Sequence, residues 1–420
     1  MLSLVYWIWF ASRDGLKART KQLLLDRFED AKSIYFAGKN DFEQIEGITN
    51  AEISALLDKD TERAEKIISR CEVLGVQILT FQDAQYPQRL RMLYDAPYVL
   101  YIKGTLPSID LLPVVAIVGT RKTTPYGEKM ARSLGYELAK AGAVVATGLA
   151  QGADSRAAEG ALMAQGKVIG VLGTAINEVY PKFNGRLFDD VLATGAIISE
   201  YPPDEPGSPR HFPARNRIIS GISLGVAVCE APLFSGSLIT ARHALEQGRE
   251  VFAVPGNADS PNFKGSNALI RDGAKLIENG WDILCEYEKL YPDKISREAS
   301  LRMPEERETL SKPKRAESPR REKKQREQGA EREERSFFKL RVPIRKKEKL
   351  ENLEAQLGEL TENQLKIVGA IGKKPTHIDD IIDLCGLPAS TVLSEMTLLQ
   401  IKGVVSQEGG KRFSLNISAR

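Results

Sequence analysis

VVAIVG at 114–119, AVVATG at 143–148 and VIGVLG at 168–173 are built alike: a short run made mostly of valine, isoleucine, leucine and alanine that closes on glycine. AIISE (196–200), GVAVCEA (225–231) and VFAVPG (251–256) continue the series, and AKLI (274–277) offers an edge strand. A strand with one wet face alternates polar and apolar residues; an unbroken apolar run of this length is covered on both faces. Most of these runs are followed by a helical stretch, which is the spacing of βαβ units. The expected core is therefore α/β, a doubly wound parallel sheet with helices on both sides. In such sheets ligands sit beyond the carboxyl ends of the strands.

Four segments are expected along the 420 residues: a small helical N-terminal domain at 1–85, the sheet at 86–290, a charged linker at 291–355 and a compact end domain at 356–420. KARTKQLLLDRF and AEISALLDKDTERAEKIISRCEVLG carry apolar residues at helical spacing. Residues 296–350 hold 19 Lys and Arg against 11 Asp and Glu and almost no Val, Ile or Phe, so they cannot bury enough surface to offset chain entropy and read as a disordered tether. TENQLKIVGAIG, HIDDIIDLC, an LPAS turn, TVLSEMTLLQIKG and the hairpin VVSQEGGKRFSLN give helix, helix, turn, helix and wing. The third helix has one Glu and one Lys and no arginine, a composition for packing rather than for reading base edges.

The bulk composition, 42% hydrophobic and 27% charged, is that of an ordinary globular protein. Cys71, Cys229, Cys285 and Cys385 form no CxxC pair; free, buried thiols in a reducing cytosol are expected. MLSLVYWIWFAS lacks a positive n-region and is too short to span a bilayer, so a buried first helix, a cytoplasmic location and no membrane contact are expected.

The unusual residues cluster at the predicted strand ends. VAIVGTRKTTPYG places Gly119, Thr120, Arg121 and Lys122 where the first run turns into a helix, and free N–H groups with a guanidinium there suit a phosphate. TGLAQGADSRAAEGAL puts Gly148 and Gly152 around a loop, where glycine serves either close ligand approach or tight helix packing. RHFPARNR (210–217) crowds Arg210, Phe212, Arg215, Asn216 and Arg217 together; the ring can stack a base and the guanidinium groups can hold phosphates. Arg215 and Arg217 cannot share one narrow pocket, and one is expected to pair with a carboxylate such as Glu200 or Asp204. Ser235, Gly236 and Ser237 open a further helix, as a cap or as a second anion cradle.

No catalytic set assembles. Only His211, His243 and His377 exist, none in metal or nucleophile-elbow spacing. Asp154 has no partner acid, and a lone carboxylate in a glycine-rich loop orders that loop or caps its helix. GxGxxG is absent, which argues against NAD. No cofactor, no metal and no catalytic residue are expected.

VAIVGTRKTTPYG, TGLAQGADSRAAEGAL, VLGTAINEVYP, SEYPP, FPARNRIISGIS, EAPLFSGSLITA and GREVFAVPGN with GSNALIRDGA, in this order, resemble the DNA-processing protein A (DprA/Smf) family over roughly residues 90–285. The resemblance implies an extended Rossmann-like core and a C-terminal winged helix. It implies a homodimer that binds single-stranded DNA without sequence preference and loads a RecA-type recombinase during natural transformation. By motif it assigns Gly119 and Arg121 to phosphate, Phe212, Arg215 and Arg217 to the stacking and cationic edge, Ser235–Ser237 to the adjoining turn, and Lys264 to a neighbouring segment. The rival reading is a nucleoside-monophosphate phosphoribohydrolase-like enzyme, whose PGGxGTxxE motif would need an acid where this chain has His243.

Overall fold

The structure, a computed structural model, describes residues 2–13, 15–297, 361–371, 376–385, 387, 389–401, 404–408 and 412–415. They fall into two compact units, Met1–Lys312 and Pro313–Arg420. Six helices come first: α1 (Leu2–Ala11), α2 (Ala18–Phe28), α3 (Ala31–Phe36), α4 (Lys39–Glu43), α5 (Asn50–Leu57) and α6 (Glu62–Leu74). Then come β1 (Gln77–Thr80), α7 (Gln88–Arg91), β2 (Val99–Gly104), β3 (Val114–Val118), α8 (Pro125–Lys140), β4 (Val144–Thr147), α9 (Ala153–Met163) and β5 (Val168–Leu172). The unit closes with α10 (Gly185–Thr194), β6 (Ala196–Ser199), α11 (His211–Ile222), β7 (Gly225–Val228), α12 (Gly236–Glu246), β8 (Glu250–Ala253), α13 (Lys264–Arg271), β9 (Lys275–Leu276) and α14 (Trp281–Leu284).

All seven apolar runs are strands, β3 to β9, and they lie parallel in the order β6-β5-β4-β3-β7-β8-β9. Val115 pairs with Val145 on one side and Gly225 on the other. From β3 the chain winds outward through β4, β5 and β6, then returns to β7 on the opposite side of β3. The loops after β3 and β7 diverge there, which opens a crevice at the switch point. Val115 and Ile117 face one core with Ala131, Leu134 and Ala157 of α8 and α9. Val114, Ala116 and Val118 face the other with Ile218, Ile219 and Ile222 of α11 and Ala241 of α12. With both faces covered, no position in β3 tolerates a polar residue, hence the unbroken run.

Two features were not expected from the sequence. β2 pairs antiparallel with β6 and β1 with β2, so the sheet has nine strands. The boundary expected near residue 85 thus falls between the partners of one antiparallel pair. Trp7, Ile8, Trp9 and Phe10 of α1 are buried in the same core as Val115 and Ile117, so the first helices share the core of the sheet. At the other end Ile295 is buried and the Ser296 N–H donates to Ala141 O at 3.0 Å, so the linker starts later than residue 291. Its remainder, from residue 298, lies outside the described residues. Cys71 and Cys229 are buried, but Cys285 is exposed and Cys385 half-buried.

In the second unit α15 (Glu362–Ala370), β10 (Thr376–His377), α16 (Ile378–Cys385), α17 (Ala389–Ile401), β11 (Val405–Glu408) and β12 (Arg412–Leu415) form a winged helix, with sheet order β10-β12-β11. Val392, Met396 and Leu399 of α17 are buried against Ile367, Ile381 and Phe413, so one face of that helix is spent on packing. Among the described residues no helix is long and apolar enough to cross a membrane.

Candidate functional site

The crevice beyond β3, β4 and β7 is a cleft of about 570 Å³. Its first wall is the loop after β3. The Thr120 N–H donates to Glu230 O at 2.8 Å, which ties that loop to the end of β7. The fully buried Glu230 carboxylate accepts from Thr124 N (3.0 Å), Thr124 Oγ1 (2.9 Å) and Asn262 Nδ2 (2.7 Å). Thr124 in turn caps α8 by accepting from Gly127 N at 3.1 Å. This buried anchor holds the loop so that Gly119 and Thr120 line the cleft and Arg121 and Lys122 stand exposed at its rim.

The opposite wall is the first turn of α11. The Arg121 guanidinium carbon lies 5.4 Å from the centroid of the Phe212 ring, and the Tyr180 ring is tilted at 50° to it with the two centroids 5.2 Å apart. Arg215 points inward from the same helix and forms the floor. Its Nη1 donates to the carbonyls of Gly148 (3.0 Å) and Val171, and its Nε to Asn216 Oδ1 at 3.2 Å. Burial pulls the Arg215 guanidinium down to about 10, against the attraction of Asp154. Burial likewise pushes the Asp154 carboxyl up, against Arg215 and the N–H groups of Ala150, Gly148 and Gly119. Asp154 therefore orders the loop, as a lone acid there should, and it also lines the cleft.

The third side is the start of α12. Ser235 Oγ accepts from Ser237 N at 3.4 Å and lies 2.8 Å from Ser237 Oγ, while Asn216 Nδ2 donates to Gly236 O at 3.3 Å. Both serines, Gly236 and Asn216 line the cleft, so one turn acts as cap and as cleft wall together.

Five expected residues stand elsewhere. Arg217 is corrected outright: its Nη2 donates to Glu200 Oε1 at 2.8 Å and its Nε approaches Asp95 Oδ2 at 3.0 Å, so it is locked in an internal ion-pair cluster. Of the two arginines expected to divide roles, Arg217 took the carboxylate and Arg215 the cleft. Gly148 and Gly152 serve packing: a Cβ on Gly148 would meet Arg215 Nη2 at 2.6 Å, and Gly152, at φ +88°, lies under the Thr120 carbonyl. Arg210 and Lys264 are exposed and do not line the cleft. Conversely, Phe234, 99% exposed beside the Ser-Gly-Ser turn, and Asn262 line it without having been singled out. The phenylalanine next to that turn was the available signal.

A doubly wound sheet whose switch-point cleft presents cations, a helix start and aromatic rings defines a Rossmann-like α/β protein suited to an anionic ligand that also carries rings. Comparison with known proteins agrees and goes further. Residues 77–288 match the model of DNA recombination-mediator protein A, and residues 351–411 match the DprA winged helix domain. The chain is 30% identical over 416 residues to Protein Smf of Synechocystis, covering 97% of this chain and 98% of that one. It is 45% identical over 212 residues to DNA processing protein DprA of Streptococcus pneumoniae, covering 49% of this chain and 72% of that one. The X-ray structure of DprA from Streptococcus pneumoniae superposes with a TM-score of 0.60 at 36% identity, over 67% of this chain and 97% of that chain. This chain belongs to the DprA/Smf family of DNA-processing proteins.

Proposed function

We propose that the chain binds single-stranded DNA in the switch-point cleft without preference for sequence, protects it, and as a homodimer loads a RecA-type recombinase onto it during natural transformation. The reading rests on the pairing of Arg121 with the Phe212 ring at the cleft rim. A single strand offers regularly spaced phosphates and unpaired base faces. A guanidinium that grips the first beside a ring that stacks the second answers both needs, and neither contact reads sequence. Gly119, Thr120, Lys122, Asn216 and Ser235 to Ser237 complete the contact surface, with Arg215 adding charge from the floor.

The reading is of a binding protein rather than an enzyme. Asp154, which accepts from the Gly148 N–H at 3.1 Å and faces Arg215, has no second carboxylate beside it among the residues lining the cleft, whereas glycosidic hydrolysis uses a pair. Fluorescence anisotropy with single- and double-stranded oligonucleotides across a salt series tests the binding. Strong preference for the single strand is expected; equal affinity for duplex overturns it. Filament assembly by a RecA-type recombinase, with and without the protein, tests the loading step.

A further inference from the structure

A groove leaves the cleft past Arg121 and Lys122, which line both. It has a volume of about 390 Å³ over Gly152 and Ser155. At Phe183 and Asn184 it opens into a depression of about 750 Å³ between α9 and α10, which reaches Met163 and Arg186. Phe183 stands at the junction with 69% of its surface exposed. Its turn is not loosely held, because buried Asn184 donates through Nδ2 to Leu149 O (3.1 Å) and Ser155 Oγ (2.9 Å). The pinned turn thus presents the Phe183 ring to the groove from a fixed position, where a base can stack on it.

The charge at the groove's mouth suits the same ligand. Arg121, Lys122, Arg132, Arg156 and Arg186 line the two depressions against Glu128, Glu159 and Asp190. Glu128 and Glu159 are already engaged, by Arg156 at 3.2 and 2.9 Å and by Arg132 at 3.2 Å. The positive surplus therefore lies in Arg121 and Lys122 at the groove's mouth, while beyond them Arg132, Arg156 and Arg186 balance Glu128, Glu159 and Asp190, with Arg186 exposed.

We propose that this groove is a second subsite for the same single strand. The strand leaves the cleft past Arg121, stacks a base on Phe183 and sets a phosphate against Arg186. The inference rests on the cleft being the single-strand site, and it adds a direction in which the strand runs and a length that it occupies.

The full chain is titrated with oligothymidylates of about 4 and about 16 nucleotides, the span of small single-strand binding modules. Wild type is compared with Phe183→Ala, Phe183→Trp and Arg121→Ala. Phe183→Ala is expected to weaken the long oligonucleotide roughly five- to hundredfold and to leave the short one unchanged, and Phe183→Trp to restore binding. If Phe183→Ala changes neither length while Arg121→Ala weakens both, the groove is wrong and the cleft stands. Equal loss at both lengths places Phe183 in the cleft itself and also overturns the groove. A change of oligomeric state with Phe183→Ala at unchanged affinity would make the surface a contact between copies instead. If Arg121→Ala has no effect at either length, the cleft reading falls and the second subsite falls with it, whatever Phe183→Ala does.

Discussion

The guanidinium of Arg121 lies over the ring of Phe212, 5.4 Å from its centroid, although Arg121 stands in the loop after β3 and Phe212 in the first turn of α11. The contact keeps a charged plane and an apolar plane side by side at one rim. Substituting the two should therefore give different signatures. On the proposed reading Arg121→Ala removes one phosphate contact. It should weaken single-strand binding at every sequence and reduce the salt slope by about 0.7, the value for one released counterion on a single strand. An unchanged slope in an anisotropy series across salt would place Arg121 outside the site.

Phe212→Ala removes stacking but no charge. Affinity should fall by about 1–3 kcal/mol while the salt slope stays as in wild type. A slope that falls along with the affinity would show that the ring acts only by holding Arg121 in place.

Arg217 should behave as a structural residue. It bridges Glu200, which follows β6, and Asp95, which precedes β2, and so ties α11 to the edge of the sheet where the antiparallel strands begin. Removing one partner of a buried ion pair costs about 3–5 kcal/mol, and the lower end applies because both carboxylates keep some contact with water. Arg217→Ala is thus expected to lower the urea midpoint strongly. The folded fraction should bind DNA with the wild-type salt slope, and a slope reduced as by Arg121→Ala would contradict the ion-pair assignment.

The parallel strands and the site loops could be read in the sequence because each depends on a local signal. Runs such as VVAIVG are apolar throughout because both faces are covered, and unusual residues gather where those runs end. The antiparallel extension depends on pairing between distant segments, and QILT and VLYIKG carry no mark of it. Helical geometry puts Arg215 and Arg217 about 200° apart, which says that they part but not which turns to the cleft. That choice lies with Glu200 and Asp95, far away in the chain. Phe234, which lines the cleft, was not singled out because an exposed ring breaks no periodicity.

The helical region offers a pH test. Glu52 accepts four hydrogen bonds, from Thr20 Oγ1 (2.6 Å), Thr49 N (3.0 Å), Thr49 Oγ1 (2.8 Å) and Lys17 N (3.3 Å). Burial alone would raise its pKa, but these donors outweigh burial and hold it down to about 2 against the ordinary 4.5. A depressed carboxyl pKa stabilises the fold above the unfolded value, and that gain disappears as the pH falls through the folded one. The contribution, about 3 kcal/mol, should be complete above pH 4.5 and vanish toward pH 2. Wild type and Glu52→Gln should therefore differ most in urea midpoint near neutrality and converge in acid. A constant gap across that range would rule out the assigned cause.

Gly148 and Gly236 separate packing from ligand access. Gly148 follows β4 and Gly236 opens α12, both at strand ends, and the sequence alone allows either reason for a glycine. A Cβ on Gly148 would fall 2.6 and 2.7 Å from the two terminal nitrogens of Arg215, whose guanidinium cannot retreat because the Gly148 and Val171 carbonyls hold it. A Cβ on Gly236 would meet nothing within 4 Å. Gly148→Ala should therefore cost about 1–3 kcal/mol through overpacking and displace the floor of the cleft, weakening single-strand binding from a position outside the cleft lining. Gly236→Ala should change stability by less than about 0.5 kcal/mol, so any loss of affinity there would come from crowding the ligand. Thermal unfolding and anisotropy on the two variants decide the matter. If Gly148→Ala proved as stable as wild type, the guanidinium would be free to move, and Arg215 would no longer be a fixed charge beneath the strand.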